Sequence, residues 1–225
     1  MSPRVTVLVM TDGRRDCITR AIASMGWLDG DISGRYIHDD SGDDGYRLWL
    51  ARQFPSWTIY STGRRSGFDQ AMRSAWQLIR DADDAPFLLH TEDDFVFTRA
   101  WDLALTATVI DEHRHLAQLA LRRQPWNADE RAAGGIVEQH PDDYTDRTNG
   151  WSAWLEHRRF FTTNPSLIRR DFVLDHQWPT GPNSEGRFGV DLFAAEPATR
   201  SGFWGSRDSG VWVEHIGTQR VGTGY

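Results

Sequence analysis

The feature that most limits how this chain can fold is a repeated pattern in its first half. Short apolar runs are each followed by an acidic or glycine-rich turn, and then by residues at helical spacing. Val5-Thr6-Val7-Leu8-Val9-Met10 is a β-rich run that stops at Thr11-Asp12-Gly13, and Asp16 to Met25 then places Ile18, Ala21, Ile22 and Met25 along one side. Arg35 to His38 reads as a second strand running into Asp39-Asp40-Ser41-Gly42-Asp43-Asp44-Gly45, with a helix over Tyr46 to Gln53. Trp57 to Ser61 reads as a third strand. Gly67 opens a helix to about Arg80 with Phe68, Ala71, Met72, Ala75, Trp76 and Ile79 on its apolar side. Pro86 to His90 is a fourth strand ending at Thr91-Glu92-Asp93-Asp94; Phe95-Val96-Phe97 continues it, and Ala100 to His115 is helical. Period-2 and period-3.6 segments in alternation predict an α/β fold, a mostly parallel sheet with helices on both faces. Ligands of such sheets bind beyond the carboxyl ends of the strands. Every acidic or glycine-rich cluster named so far falls at such an end.

Beyond about residue 116 the pattern loosens. Leu119 to Leu121 suggests a strand, Pro125 to Gly150 a long polar excursion, and Phe160 to Pro165 an extended segment. Asn164-Pro165 is a helix-start signal, so Leu167 to Leu174 is expected to be helical. Pro179 to Gly189 reads as a loop, and Val211 to Ile216 as a last strand before a glycine-rich tail. No internal repeat or linker divides the 225 residues, so one domain is expected.

Composition removes several function classes. A formal net charge of −7 is a poor match to phosphate-backbone binding. The 25 basic residues are all arginines, and because they are scattered along the chain they fit a codon bias better than phosphate clamping. Cys17, the one cysteine, excludes an internal disulfide and a cysteine-rich zinc site. The start of the chain does not resemble a signal peptide, and no run approaches the roughly 18 apolar residues of a membrane span. A cytoplasmic protein is the expectation.

Glu92-Asp93-Asp94 carries the strongest chemical signal. Three adjacent carboxylates after an apolar strand repel one another unless a cation or solvent screens them. Their hard oxygens suit Mg²⁺ or Mn²⁺, which also accept substrate phosphate oxygens. In extended backbone Glu92 and Asp94 would share one side and Asp93 would face the other. A solvated acidic turn is the alternative. Asp39 and Asp40 can accept hydrogen bonds from a nucleobase or ribose, or can simply build a turn with Ser41 and Gly42.

With these segments in view, Leu88 to Asp94 resembles the DXD-type segment of GT-A glycosyltransferases, especially the family 2-like group. Val5 to Arg14 resembles that group's first strand and turn. His38 to Asp43 resembles its nucleoside-contacting segment, and Gly67 to Ala75 its following helix start, in the same order. The resemblance implies a GT-A fold, Rossmann-like, over residues 1–225. Residues of about 1–115 would form the nucleotide-sugar-binding half, and those of about 116–225 the acceptor half. It implies a metal-dependent, inverting transfer of a sugar from a UDP-, GDP- or dTDP-sugar to an acceptor hydroxyl on a glycan, lipid, protein or modified nucleobase. Nucleic acid is otherwise an unlikely partner. Thr11, Asp12, Arg14, Asp39, Asp40, Gly67, Arg73, Glu92 and Asp93 would contact the donor, with Arg64 and Arg65 as further diphosphate candidates. Asp94 and Glu92 would hold the metal, with His215 as a further ligand.

On the acceptor side, Thr163 to Arg170 resembles a segment of the same group. The catalytic base is expected within Asn183 to Leu192. Glu185, after Pro179 and Pro182, is favoured over Asp191, which has apolar neighbours and could instead cap a helix. The group's tighter Glu-Asp pair is absent. Residues 217–225 would form a flap over the donor or a frayed end. Trp126, Trp151, Trp154, Trp178 and Trp204 would stack on sugar rings or pack in the core. A nucleotidyltransferase of related fold would show a Gly-rich loop with Arg and Lys after the first strand, and Thr11 to Arg15 is a poor match to it. A non-catalytic sugar-binding or assembly domain is the third alternative.

Overall fold

The computed structural model describes residues 3–82 and 84–217. The first half alternates as its periodicity requires. β1 (Arg4–Thr11), α1 (Arg15–Ser24), β2 (Leu28–Asp29) and β3 (Asp31–Asp39) lead to α2 (Asp44–Gln53), β4 (Thr58–Ser61), α3 (Phe68–Ala82) and β5 (Phe87–Glu92). Then come β6 (Phe95–Phe97), β7 (Trp101–Asp102), α4 (Leu103–Glu112) and β8 (Leu116–Ala120). The second half holds α5 (Ala128–Ala133), α6 (Ile136–Gln139), β9 (Thr145–Thr148), β10 (Ala153–His157), β11 (Ser166–Arg169) and α7 (Arg170–Asp175). It closes with α8 (Ser184–Ala195), β12 (Arg200–Trp204) and β13 (Val213–His215).

Nine strands form one sheet in the order β4-β3-β1-β5-β11-β8-β12-β10-β9, so both halves share it. β4, β3, β1 and β5 are mutually parallel, and β11 lies antiparallel between β5 and β8. The chain moves outward from β1 through β3 to β4 and then returns to the far side of β1 as β5. That reversal is the kind of switch point at which α/β sheets open a crevice.

β1 is buried from Val5 onward because it has a parallel neighbour on each side and helices on each face. Its alternation sorts two cores. Val5, Val7 and Val9 pack with Ile18, Tyr46, Leu50 and Ile110 on one face. Leu8 and Met10 pack with Met72, Trp76, Phe172, Phe188 and Leu192 on the other. Trp76 sits among Phe161, Phe172, Trp178 and Phe188 with ring centroids 5.4–6.4 Å away. Among the described residues, no helix is long and apolar enough to cross a membrane.

Three expectations need correction. Phe95 to Phe97 does not continue β5: Asp93 and Asp94 form a turn, and β6 leaves the main sheet to pair antiparallel with β13. Leu167 to Leu174 is not a single helix. Ser166 to Arg169 fills the antiparallel slot between β5 and β8 before α7 begins, so tertiary pairing overrides the local helix signal. Arg169 is buried there and donates to the carbonyls of Ile110 and Leu116, at 3.0 and 2.9 Å.

Third, Pro179 to Gly189 is not all loop, since α8 starts at Ser184. Its glycines misled. A Cβ on Gly189 would lie 2.7 Å from the backbone nitrogen of Phe161, so this glycine permits a close helix approach rather than a turn.

This approach yields a prediction. Gly189→Ala gains about 1 kcal/mol of helix propensity, but it forces a methyl against backbone that cannot give way, at a cost of about 1–3 kcal/mol. Urea denaturation should show a net loss of stability. A variant at least as stable as the parent would mean that α8 has room to shift.

Candidate active site

The carboxyl ends of β1, β3 and β5 meet the N-termini of α3 and α8 around a cavity of about 430 Å³. Thr11, Asp12, Arg14, Asp40, Gly67 and Glu92 from the first half line it, facing Glu185 from the second. The backbone makes this convergence unavoidable. Met10 is paired with Glu92 across the β1–β5 ladder, and the amides of Asp93 and Asp40 donate to the carbonyls of Met10 and Thr11, each at 2.9 Å.

The aspartates of the β3 turn divide their work. Asp40 accepts from the amides of Ser66 and Gly67, both at 2.9 Å, and so fixes the start of α3 against the cavity. Asp43 caps α2 through the amides of Gly45 and Tyr46. Asp39 is fully buried and outside the cavity lining. One of its oxygens accepts from the amide of Ser41 at 2.8 Å, the other has no partner among the described residues, and burial raises its pKa.

Arg14 is the centre of the charge network. It pairs with Asp12 at 3.1 Å and bonds to both Asp93 and Asp94. Burial opposes its charge, yet the carboxylates around it hold its pKa above the ordinary arginine value. Asp93 has no exposed surface. It accepts from Thr11 Oγ1 at 2.6 Å, and burial lifts its pKa to about 7 against the pull of Arg14 and Thr11. Asp93 therefore anchors Arg14 and does not line the cavity, contrary to its expected donor contact.

Glu92 does not share a side with Asp94. The two lie across the start of a turn, where strand alternation no longer applies. Glu92 accepts from Thr163 Oγ1 at 2.7 Å. The backbone nitrogen of the same Thr163 donates to Glu185 at 2.7 Å, and its hydroxyl lies 3.2 Å from that carboxylate. Burial raises the pKa of both glutamates, and the nearby Asp94 charge pushes Glu92 further. Asp191 is exposed on the outer side of α8, away from the cavity. Arg73 also leaves the expected set, since it faces a different cavity on the other side of α3.

The β6–β13 pairing brings His215 opposite Phe95, and the amide of Ile216 donates to the carbonyl of Asp94 at 2.8 Å. His215 Nε2 thereby comes 3.2 Å from Asp94 Oδ2, while Asp94 Oδ1 is buried without a partner among the described residues. Burial would raise Asp94, but hydrogen bonds and charge from His215 and Arg14 hold it below the usual carboxylate range. A Cβ on Gly217 would lie 2.3 Å from Asp94 Oδ2 and 3.0 Å from His215 Nε2, so the pair sits in a tight cradle.

No group of three His, Cys, Asp or Glu that could hold a metal occurs among the described residues. The expected set of Asp94, Glu92 and His215 thus reduces to the Asp94–His215 pair. This pair suits Mg²⁺ or Mn²⁺, which commonly take one or two protein ligands and complete their shell with water and phosphate.

Several residues here escaped the sequence reading. Gln124 clamps His215 by its backbone, donating to the His215 carbonyl at 2.8 Å and accepting from its amide at 2.9 Å. The imidazole lies between Phe95 and Trp126, with centroids 4.6 and 4.0 Å away. Thr163, the link between the glutamates, lay within a quoted segment but carried no signal of its own. Of the tryptophans expected near sugar, Trp154, Trp178 and Trp204 are core residues, and Trp151 is exposed on the β9–β10 turn. Residues 218–225, most of the expected flap, lie outside the described residues.

No protein-family model matches the sequence, and no curated protein sequence matches it. Solved structures do match the fold. The mannosyltransferase PcManGT from Pyrobaculum calidifontis, in complex with GDP-Man and Mn²⁺, aligns with a TM-score of 0.65 at 14% identity, over 98% of this chain and 59% of that one. S. aureus TarS 1-349 in complex with UDP-GlcNAc gives 0.65 at 16%, over 96% and 59%. GalNAc-T7 with UDP, GalNAc and Mn²⁺ gives 0.64 at 10%, over 96% and 43%. The chain thus spans less than two thirds of the length of each. At these identities the likeness is one of architecture: the chain has the GT-A fold of nucleotide-sugar glycosyltransferases.

Proposed function

We propose that this chain is a glycosyltransferase that moves a sugar, with inversion, from a nucleoside diphosphate sugar to an acceptor hydroxyl, assisted by Mn²⁺ or Mg²⁺. One observation carries the reading. Thr11, Asp12, Arg14, Asp40, Gly67 and Glu92 line one side of a single cavity at the strand ends, and a buried carboxyl, Glu185, faces them across it. The complexes of similar fold that hold GDP-Man or UDP-GlcNAc support this class of donor.

The donor would enter at the ends of β1, β3 and β5, where Thr11, Asp12 and Asp40 line the cavity. Arg65, which donates to the Asp12 carbonyl at 2.9 Å, brings positive charge to the rim. Asp94 and His215 would hold the metal, which when bound offsets the negative charge of the departing diphosphate. Glu185 would take the proton of the acceptor hydroxyl as it attacks the anomeric carbon. Its raised pKa brings it nearer to working pH, as suits a general base. The backbone N–H of Thr163 holds that carboxylate in place at 2.7 Å.

Two predictions test the assignment. Glu185→Gln keeps the shape but cannot take a proton. Nucleoside diphosphate release from UDP-GlcNAc or GDP-Man should fall by roughly a hundredfold to ten-thousandfold, with diphosphate affinity unchanged. The parent loses rate as pH falls through the raised Glu185 pKa, because protonation removes the base; the variant should lack that limb. Asp191→Asn, on the solvent side, should keep the parent rate. Full activity in Glu185→Gln would remove it as base, and a slow Asp191→Asn would reverse the choice.

The second concerns the metal pair. Calorimetry of UDP and GDP with Mn²⁺ should show that Asp94→Ala abolishes, and His215→Ala weakens, the metal-dependent part of binding, while the far-UV spectrum stays that of the parent. Metal-dependent affinity that survives both changes would rule the pair out.

A further inference from the structure

α3 has a second cavity on its other side, of about 320 Å³, lined by Arg64, Arg73, Arg80, Ser66, Ser74 and Trp76 among others. Among the described residues no Asp or Glu lines it, although the chain has 32 acidic residues against 25 arginines. Arg80 is a fixed wall, since its guanidinium donates to the carbonyls of Val173 and His176. Arg64 and Arg73 are different. Among the described residues their guanidinium groups make no hydrogen bond or ion pair. The carboxylates bonded to this wall already have donors: Asp40 accepts from the Ser66 amide and hydroxyl, Asp69 from Gln70 at 3.2 Å and Asp81 from Gln77 at 2.9 Å.

A second observation is independent of the arginines. Trp76 lines the cavity, and its buried indole N–H has no acceptor among the described residues. A buried donor without a partner costs about 1–3 kcal/mol, a cost that an acceptor reaching the indole would relieve.

The backbone places these charges deliberately apart from the first cavity. Gly42 has φ +69°, and a Cβ there would come within 2.6 Å of the Arg65 nitrogen and 3.1 Å of the Arg64 carbonyl carbon. That contact fixes the loop before α3. From it Arg65 lines the first cavity and Arg64 the second.

The guanidiniums of Arg64 and Arg73, without partners among the described residues, the Ser74 hydroxyl and the indole N–H are donors, and no described carboxylate lines the cavity. The complementary ligand is negatively charged and carries several acceptor oxygens close together. Phosphate meets that description, and arginine is the side chain suited to it. A neutral sugar would bring as many donors as acceptors and leave the charges uncompensated. We propose that this cavity binds a phosphate-class oxyanion, free or carried on the acceptor, separately from the nucleotide-sugar cavity. The proposal stands whether or not the transfer reading holds.

The test is a titration with orthophosphate in EDTA, which keeps divalent metal off Asp94 and His215. It is read by calorimetry and by the NMR signal of the Trp76 indole, assigned with Trp76→Phe. Saturable binding that shifts this signal is expected, and chloride should not reproduce it. Arg64→Gln and Arg73→Gln should each weaken phosphate roughly tenfold or more, the loss of one hydrogen bond to a charged group. They should leave UDP–Mn²⁺ affinity at the parent value. A parallel arm with glycerol 3-phosphate separates the sources: tighter binding than orthophosphate assigns the phosphate to an acceptor, and equal binding to a free anion. A linear response matched by chloride, unchanged affinity in both variants, or displacement of phosphate by UDP would each overturn the site.

Discussion

Three carboxylates meet where β1 and β5 end, and the guanidinium of Arg14 allows them to stay there. Asp12 follows β1, Asp93 and Asp94 follow β5, and parallel pairing of Met10 with Glu92 brings the two turns together. Unscreened, charges this close repel by several kcal/mol in a partly buried setting. Arg14 can serve all three because it stands at the start of α1, directly after the β1 turn. Asp93, with no exposed surface, and Thr11 tie that guanidinium to the sheet. The direction of Asp94 toward His215, and of Glu92 away from it, follows from this arrangement.

The second half of the molecule joins the site through one threonine. β11 runs antiparallel to β5 with Ser166 opposite His90, so the residues just before β11 lie over the end of β5. Thr163 is among them, and it reaches Glu92 and Glu185 at once. Burial raises the pKa of both, and the charge of Asp94 raises Glu92 further.

The first half was legible because its signals are local. Strand periodicity, the turns at Thr11 to Gly13 and Asp39 to Gly45, and the acids after β5 each report on themselves, and the resemblance they carry named seven of the first-half lining residues. The second half was less legible because its structure is set by distant partners. β11 exists through its slot between β5 and β8, and α8 through a glycine that reads as a loop residue until Phe161 is placed beside it. Arg73 shows the same limit on a smaller scale. Its helix was evident, but which face of that helix met the first cavity depended on packing that no local pattern records. Gln124 carried no signal and Trp126 was read for sugar stacking or core packing, whereas their place beside His215 depends on the β6–β13 pairing far along the chain.

The proposed metal pair and the proposed base rest on different supports. His215 belongs to β13, which with β6 forms a two-stranded unit outside the main sheet, held by Gln124 and flanked by Trp126 and Phe95. Glu185 belongs to α8, held by the Gly189 approach to Phe161 and by Thr163. Only the end of β5 touches both, through Asp94 on one side and Glu92 on the other. A shift of the β6–β13 unit would therefore change how a diphosphate is held without moving the base. A shift of α8 would misplace the base and leave the Asp94–His215 pair intact. Asp94 acts on Glu92 through its charge, and Glu92 meets Glu185 through Thr163, so the end of β5 is where the two halves of the cavity communicate.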